Sequence, residues 1–206
     1  MDDAIYESLA DALDRLPHGF PRTASKVEIE VLKMMFTPEE ARIAAALSEE
    51  FEPAAAVAGR LGEAGREVEA RLRLMSRKEL TQSKIHDGTR LFRLNQFIVG
   101  GYEAAMARLE GEEAHRFAHL IEEYWTSTGG LAGIMTPGPA LHRVLPSRGA
   151  LKSEWILPYD DVAALLGEAR SFVLSDCICR KQQDLLGARK CSFPRRACLS
   201  FSPVER

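Results

Sequence analysis

Long hydrophobic runs are missing from this sequence of 206 residues. A membrane-spanning helix needs ~20 consecutive apolar residues, and the longest apolar stretches, such as FIVG and WILP, are only as long as a strand. The first residues, MDDAIYESLADALDRL, are acidic and amphipathic, and they lack the basic and apolar regions of a secretory signal. The sequence therefore predicts a cytoplasmic protein without membrane contact.

A strong excess of charge of either sign is also missing, because 27 basic residues face 30 acidic ones and the net charge is −3. This balance excludes a global electrostatic attraction to nucleic acid, so DNA binding would depend on a local patch. No Ser–His–Asp or Cys–His arrangement and no Gly-rich phosphate loop stands out. The sequence favours a protein that is not an enzyme and leaves the question open.

Cysteine is absent from the first 176 residues, and four cysteines lie in the last thirty. In a reducing compartment, clustered cysteines serve more often as metal ligands or redox groups than as structural disulfides. The spacing is C-x-C, eleven residues, C, six residues, C. Structural zinc sites usually present two C-x2–4-C knuckles, whereas a four-iron cluster takes one sulfur per iron and accepts more varied spacing. The spacing favours a 4Fe-4S cluster over zinc and leaves open four thiols that bind nothing. The candidate ligands are Cys177, Cys179, Cys191 and Cys198.

Basic residues surround these cysteines and exceed the acidic residues of the same stretch by four. Nearby cations favour thiolate over thiol, and they would offset the negative charge of a thiolate-ligated cluster. The same residues could also form an ordinary solvated surface. The candidates closest to the cysteines in sequence are Arg180, Lys181, Arg189 and Lys190.

The N-terminal half shows three predicted helices and a hairpin over residues 37–97. The first helix begins with a capping box, since Thr37 stands at the N-cap, Pro38 in the first turn and Glu40 three positions on. Asp87-Gly88 separates two short alternating segments, which is typical of a tight hairpin. Three helices followed by a hairpin are the order of a winged helix-turn-helix, with a helical lead-in completing residues 1–99.

Nine basic and five acidic residues between positions 60 and 93 give this segment a net charge of +4. The third helix would place its basic residues at a major groove, and the hairpin tip would contact phosphate. Glu67 with Arg71 and Glu69 with Arg73 have the i,i+4 spacing of helix-stabilising ion pairs, which would dilute the patch. The candidate DNA contacts are Arg66, Arg73, Arg77, Lys84 and Arg90.

The rest of the chain is predicted as one longer linking helix over residues 100–125, a Gly/Pro-rich linker to residue 137, and a small α/β unit over 138–206. In that unit HRVLP predicts a strand, PYDD begins a helix, and Ser171–Leu174 predicts a buried strand that leads into Cys177. The predicted fold class is therefore α+β and mainly helical, with a winged helix, a linking helix and a C-terminal cysteine unit.

The run DCICRKQQDLLGARKCSFPRRAC resembles the cysteine segment of 4Fe-4S ferredoxin-type iron–sulfur proteins of anaerobes, whose pattern is close to D-C-x-C-R-K-Q, L-L-G and C-x-x-P-x-x-x-C. LPHGFPRT, MMFTPEEA, HRVLP and ILPYDD also resemble their counterparts in that group, so the resemblance covers most of the chain. It implies that the four cysteines are cluster ligands. Members of the group usually continue into a ferredoxin segment with C-x2-C-x2-C-x3-C runs, which this sequence lacks.

Three functions follow as hypotheses. The leading one is a 4Fe-4S protein with a redox or electron-transfer role and a redox protein as partner. The second is a redox- or metal-sensing winged-helix regulator that binds DNA as a homodimer, with the 100–125 helix as the dimer interface. The third is a zinc-stabilised interaction module.

His115 and His119 are four apart but have no third ligand, so an exposed polar edge is the favoured interpretation.

Overall fold

The computed structural model describes residues 2–127 and 162–203, and it shows an α+β protein. Among these residues, one compact unit comprises 2–127 with 185–187, and a second comprises 162–184 with 188–203. Within the described ranges, no helix is both long enough and apolar enough to span a bilayer.

Among the residues that the structure describes, the first unit has seven α-helices, three short strands and a short π-helical segment, Phe97–Gly101. In chain order the α-helices and strands are α1 Asp2–Asp14, α2 Val27–Met35, α3 Pro38–Ala45, β1 Glu52–Pro53, α4 Ala54–Leu61, α5 Gly65–Arg77, β2 Thr81–His86, β3 Thr89–Leu94, α6 Tyr102–Arg108 and α7 Gly111–Thr126.

The predicted capping box at the start of α3 is confirmed. The Glu40 backbone N–H donates to Thr37 Oγ1 at 3.2 Å, and the Thr37 backbone N–H donates to Glu40 Oε2 at 3.0 Å. Two backbone donors that the helix itself cannot satisfy are thereby paired. Buried Ala41, Ile43 and Ala44 then form the face that α3 turns to the core.

The predicted hairpin is also confirmed. Strands β2 and β3 pair antiparallel from Thr81↔Leu94 to His86↔Thr89, so Asp87 and Gly88 alone form the turn. Both have positive φ, 48° and 74°, as a two-residue hairpin turn that follows the strand twist requires. Strand β1 adds to the other side of β3, and the sheet order is β1-β3-β2.

An aromatic cluster fills the core behind these elements. Phe20, which follows α1, is fully buried, and its ring centroid lies 4.8 Å from that of Phe97 and 5.3 Å from that of Tyr124. Phe97 and Tyr124 meet edge to face at 5.7 Å, a favourable arrangement of two rings. The cluster joins Phe20, in the segment after α1, to Tyr124 in α7, which is 104 positions further along the chain.

The prediction of one long helix over residues 100–125 is wrong, because the chain forms two helices there. Leu109 and Glu110 have extended backbones, and Gly111 takes the left-handed φ of 56° that glycine tolerates best. The break allows α7 to pack against α2 and to bury Phe117 and Ile121 completely. An amphipathic pattern on both sides of a glycine does not by itself distinguish one helix from two.

The described part of the second unit contains α8 Val162–Gly167, β4 Ser171–Asp176, α9 Ile178–Leu185 and β5 Arg196–Ser202. Strands β4 and β5 form a two-stranded antiparallel sheet, with an irregularity between Ser175 and Asp176. The predicted strand HRVLP and the predicted helix start PYDD lie outside the described residues.

The prediction that the strand of Ser171–Leu174 is buried is wrong. Phe172, Val173 and Leu174 are 54%, 57% and 50% exposed. The run is apolar at three successive positions, which is typical of a strand covered on both faces. Among the described residues of this unit, however, β4 belongs to a sheet of two strands, which leaves Phe172 and Leu174 exposed on one face and Val173 on the other.

Candidate cysteine site and basic surface

The junction between β4 and α9 carries the first two cysteines. Cys177 is the residue before α9, and its carbonyl accepts a hydrogen bond from the Lys181 backbone N–H at 2.9 Å. Its own N–H donates to the Arg195 carbonyl at 2.7 Å, which ties this junction to the start of β5. Cys179 lies in the first turn of α9, so both sulfurs are carried near the N-terminal end of that helix, where anionic groups are favoured.

The other two cysteines reach the same region through the sheet and its loop. Cys198 lies on β5 directly opposite Ser175, and the Ser175 hydroxyl donates to the Cys198 carbonyl at 3.4 Å. Cys191 lies in the loop between α9 and β5 and is half-buried, as is Cys177, whereas Cys179 and Cys198 are exposed. None of the four forms a disulfide with another described residue.

Arg180 connects the cysteine loop with the start of α9. Its Nη1 donates to the Pro194 carbonyl at 3.0 Å, and its guanidinium lies 5.6 Å from the centroid of the Phe193 ring. The Phe193 backbone N–H, followed by a hydrogen bond and the positive charge from Arg180, lowers the pKa of Cys191 below its ordinary value. In return, the hydrogen bond with Cys191 raises the pKa of Arg180, and the charges of Cys177 and Cys179 add to that effect. One guanidinium is therefore within electrostatic reach of three of the four sulfurs.

Arg189 holds the same loop from its other side. Its Nε donates to the Cys191 carbonyl at 2.8 Å, and Nη2 donates to the Phe193 carbonyl. Nη1 contacts both carboxylate oxygens of Asp184 at 3.1 and 3.2 Å, so the loop is anchored to α9. Charge-assisted hydrogen bonds to two loop carbonyls favour one loop conformation.

The four predicted cluster-surrounding cations thus differ in position. Arg180 and Arg189 bond to the loop that carries Cys191, whereas Lys181 is buried and Lys190 is exposed. Arg195, at the other end of the loop, pairs with Asp176 at 3.1 Å.

The four thiols are the ligand type of either a structural zinc site or an iron–sulfur cluster. Among the residues that the structure describes, no three His, Cys, Asp or Glu side chains are arranged to hold one metal ion. A structural zinc site needs that convergence of ligands on one tetrahedral centre. A four-iron cluster takes one thiolate from each of four residues on separate irons, and Arg180 lies within electrostatic reach of three of the four sulfurs.

Ion pairs neutralise part of the predicted basic surface. Arg71 contacts Glu39 at 3.2 Å and Glu63 at 2.7 Å, and Lys78 contacts Glu40 at 2.6 Å. Arg60 contacts Glu52 at 2.5 Å, and Arg73 contacts Glu69 at 2.6 Å. Four of the nine basic residues between positions 60 and 93 are therefore neutralised locally. The two predicted i,i+4 pairs are both present, Glu67–Arg71 at 3.9 Å and Glu69–Arg73 at 2.6 Å.

The other candidate DNA contacts lie in two places. Arg66 and Arg77 are exposed on α5 and form no ion pair with a described residue. Lys84 lies over the Phe51 ring, 4.3 Å from its centroid, and Arg90 Nη1 donates to Ser83 Oγ at 3.3 Å. Because Arg90 pairs across the ladder with Ile85, the neighbour of Lys84, these two basic side chains project from opposite faces of the hairpin.

Phe51 contributes to the basic surface around the hairpin, although the sequence did not indicate this role. Its ring also lies 4.5 Å from the Arg93 guanidinium, so one half-buried aromatic side chain orients two cations through cation–π contacts. Phe51 precedes β1, and only the β1–β3 pairing brings it to the hairpin.

The two histidines at the i,i+4 spacing are exposed on α7, with their ring centroids 4.6 Å apart. No third ligand joins them among the described residues, and a two-ligand pair alone defines no metal site.

Comparisons with protein-family models, curated proteins and solved structures show no match to this chain.

Proposed function

We propose that this chain binds a 4Fe-4S cluster and has a redox or electron-transfer role. Cys177, Cys179, Cys191 and Cys198 are the four ligands. The observation that carries the proposal is the position of Arg180, which hydrogen-bonds Cys191 and is within electrostatic reach of Cys177 and Cys179. Cys198 belongs to the same region because its ladder partner, Ser175, lies two residues before Cys177. The sequence resemblance to ferredoxin-type proteins of anaerobes supports the same assignment.

When bound, a cluster of this kind supplies one-electron exchange with a partner. The residues of the chain hold and orient the ligands. Arg180 keeps a positive charge beside three sulfurs, which opposes the repulsion among thiolates. Arg189 and Asp184 hold the Cys191 loop against α9. The role is proposed for the cytoplasm, where thiols remain reduced.

Metal analysis of protein purified without oxygen tests the proposal. We expect roughly four irons and four acid-labile sulfides per chain, with a broad absorption band at about 400 nm. Single Cys→Ser variants at the four positions should each lower the iron content, and Ser175→Ala, beside Cys198, is the matched control. About one zinc per chain and no colour would replace the proposal with a zinc-stabilised module. Four titratable thiols without metal would refute both.

A redox-sensing regulator with a winged helix is the second candidate, and the first unit favours it. Helices α3, α4 and α5 are followed by the β2–β3 hairpin, and β1 completes a three-stranded sheet, which is the element order of that fold. Helix α5 has the place of a recognition helix, and on its exposed side it carries Arg66 and Arg77, which form no ion pair with a described residue. In this role the state of the cluster would change the affinity of a homodimer for DNA.

Two measurements separate the candidates. A regulator should elute as a dimer and should bind a duplex of its own promoter with an affinity that falls steeply with salt. An electron carrier should show neither property and should cycle reversibly between two oxidation states.

A further inference from the structure

Four large apolar side chains share one face of the β4–β5 sheet. Phe172 lies opposite Phe201, and Leu174 lies opposite Leu199 in the antiparallel register. Residues directly opposite each other, and residues two apart along a strand, project from the same face. We call these four residues the apolar quartet; Phe172, Leu174, Leu199 and Phe201 are 54%, 50%, 47% and 40% exposed.

The other face of the sheet has a different composition. It carries Ser171, Val173 and Ser175 from β4, and Ser200 and Cys198 opposite the last two of these. Val173 is 57% exposed but is the only large apolar residue on this face of the described ladder. The sheet is thus amphipathic, with Cys198 on the polar face and the apolar quartet on the reverse. A continuous exposed apolar patch on a folded protein marks an interaction site.

Positive charge borders the apolar quartet at both ends. The Arg170 backbone N–H donates to the Ser202 carbonyl at 2.8 Å, so the exposed Arg170 lies at the end of the sheet where Ser171 pairs with Ser202. Arg196 lies at the opposite end, where its guanidinium reaches the Leu174 carbonyl at 3.5 Å. Residues 162–203 contain seven basic and three acidic residues, a net charge of +4 in a chain whose net charge is −3.

We propose that the apolar quartet and its flanking arginines form the docking surface for a small acidic electron-carrier protein. The carrier would present an apolar centre to the quartet and carboxylates to Arg170 and Arg196. An apolar centre with a charged rim is typical of protein interfaces, and opposite charges steer the encounter. The choice of an electron carrier rests on the proposed function, whereas the acidic and apolar character of the partner rests on the surface itself.

Other occupants fit the surface less well. A second copy of the chain would bring the same net positive charge onto this face. Single-stranded nucleic acid stacks its bases on aromatic side chains, but half of the quartet is leucine. A complementary acidic protein satisfies both the apolar area and the charge.

Titration calorimetry with the full chain tests the proposal, using two probes, a small acidic ferredoxin and a flavodoxin, and basic cytochrome c as the charge control. We expect both acidic probes to bind, with an affinity that falls as the salt concentration rises. Arg170→Glu should weaken binding by about 10-fold or more, as should the double variant Phe172→Ser with Phe201→Ser. Val173→Ser, on the same strand but the other face, should change the affinity by less than about 2-fold. Arg170→Glu alters an exposed side chain and keeps the test valid if the double variant does not fold.

Three results would overturn the proposal. The first is the absence of binding to both acidic probes at low salt. The second is tighter binding of a single-stranded oligodeoxythymidine, which would assign the surface to nucleic acid. The third is a lowered melting temperature of the quartet variant, relative to Val173→Ser, with unchanged probe binding, since the quartet would then be covered within the chain. Iron analysis of the same samples keeps the two proposals distinct, because binding without iron would refute only the cluster.

Discussion

Cys198, the last cysteine of the chain, lies directly across the β4–β5 ladder from Ser175. Ser175 is two residues before Cys177, the first cysteine. The Cys177 backbone N–H reinforces this connection through its hydrogen bond to the Arg195 carbonyl at 2.7 Å. Both contacts come from backbone pairing, which ties the segment around Cys177 to the strand that carries Cys198.

The contact between Arg180 and Cys191 predicts the reactivity of one thiol. The Phe193 backbone N–H, followed by the hydrogen bond and charge of Arg180, lowers the pKa of Cys191, so its thiolate is populated at lower pH than that of an ordinary cysteine. Arg180→Gln should raise this pKa and shift the pH profile of Cys191 alkylation upward. Arg180→Lys should shift it less, because the charge remains. Iodoacetamide labelling of metal-free protein, followed by peptide mass spectrometry, measures the profile. Lys190→Gln, an exposed cation beside Cys191, is the control, and equal shifts in both variants would contradict a specific role for Arg180.

The α3 capping box predicts a pH-dependent contribution to stability. Burial opposes ionisation of Glu40, but hydrogen bonds from Lys78 and the Thr37 backbone outweigh it and lower the pKa of Glu40 in the folded state. A lowered folded pKa stabilises the protein above the unfolded pKa, and the stabilisation is lost as pH falls through the folded value. Glu40→Gln should therefore reduce the free energy of unfolding by about 1 kcal/mol at pH 7 and have no effect in acid.

Urea unfolding from neutral to acidic pH measures that difference. Glu39→Gln, the neighbouring and more exposed carboxylate, should have a smaller effect. A difference between wild type and Glu40→Gln that persists unchanged in acid would contradict the charge-based explanation.

The buried carboxylate of Glu28 predicts that loss of the Thr23 hydroxyl lowers the stability of the protein. Glu28 is 1% exposed, and Thr23 Oγ1 donates to its Oε2 at 2.5 Å. Thr23→Val keeps the shape of the side chain but leaves a buried acceptor without this donor, which costs about 1–3 kcal/mol. Ser25→Ala removes an exposed hydroxyl that lies 3.4 Å from Thr23 Oγ1 but leaves the Thr23–Glu28 hydrogen bond in place, so it should change the stability by less than about 0.5 kcal/mol. Chemical denaturation of both variants tests the expectation, and equal stabilities would show that Glu28 does not depend on Thr23.

The pairing of the α5 arginines predicts which of them would contact DNA. Arg66 and Arg77 form no ion pair with a described residue, whereas Arg73 is held by Glu69. If the regulator hypothesis is correct, Arg66→Ala or Arg77→Ala should weaken duplex binding and reduce the slope of log affinity against log salt by about 1. Arg73→Ala should reduce the slope less. Fluorescence anisotropy over a salt series measures the slopes, and identical slopes for all three variants would remove α5 from the interface.

Local sequence patterns correctly predicted the start of a helix and a hairpin turn, because both depend on residues close together in the sequence. Thr37, Pro38 and Glu40 indicated the start of α3, and Asp87-Gly88 indicated the two-residue turn, since capping and turn conformations arise from interactions within a few residues. The same reasoning did not detect the break before Gly111. Whether a helix continues through a glycine depends on what its two halves can bury, and α7 buries Phe117 and Ile121 by packing against α2.

The sequence alone determined which residues are candidate ligands. They are four thiols with a defined spacing, in a stretch rich in cations. Tertiary structure decided which groups meet. It placed Arg180 beside Cys191, Cys198 opposite Ser175, and Lys84 and Arg93 over Phe51. It also left the β4 strand exposed where its composition predicted burial. Composition and spacing are properties of neighbours along the chain, whereas exposure and charge pairing depend on strand register and packing between distant segments.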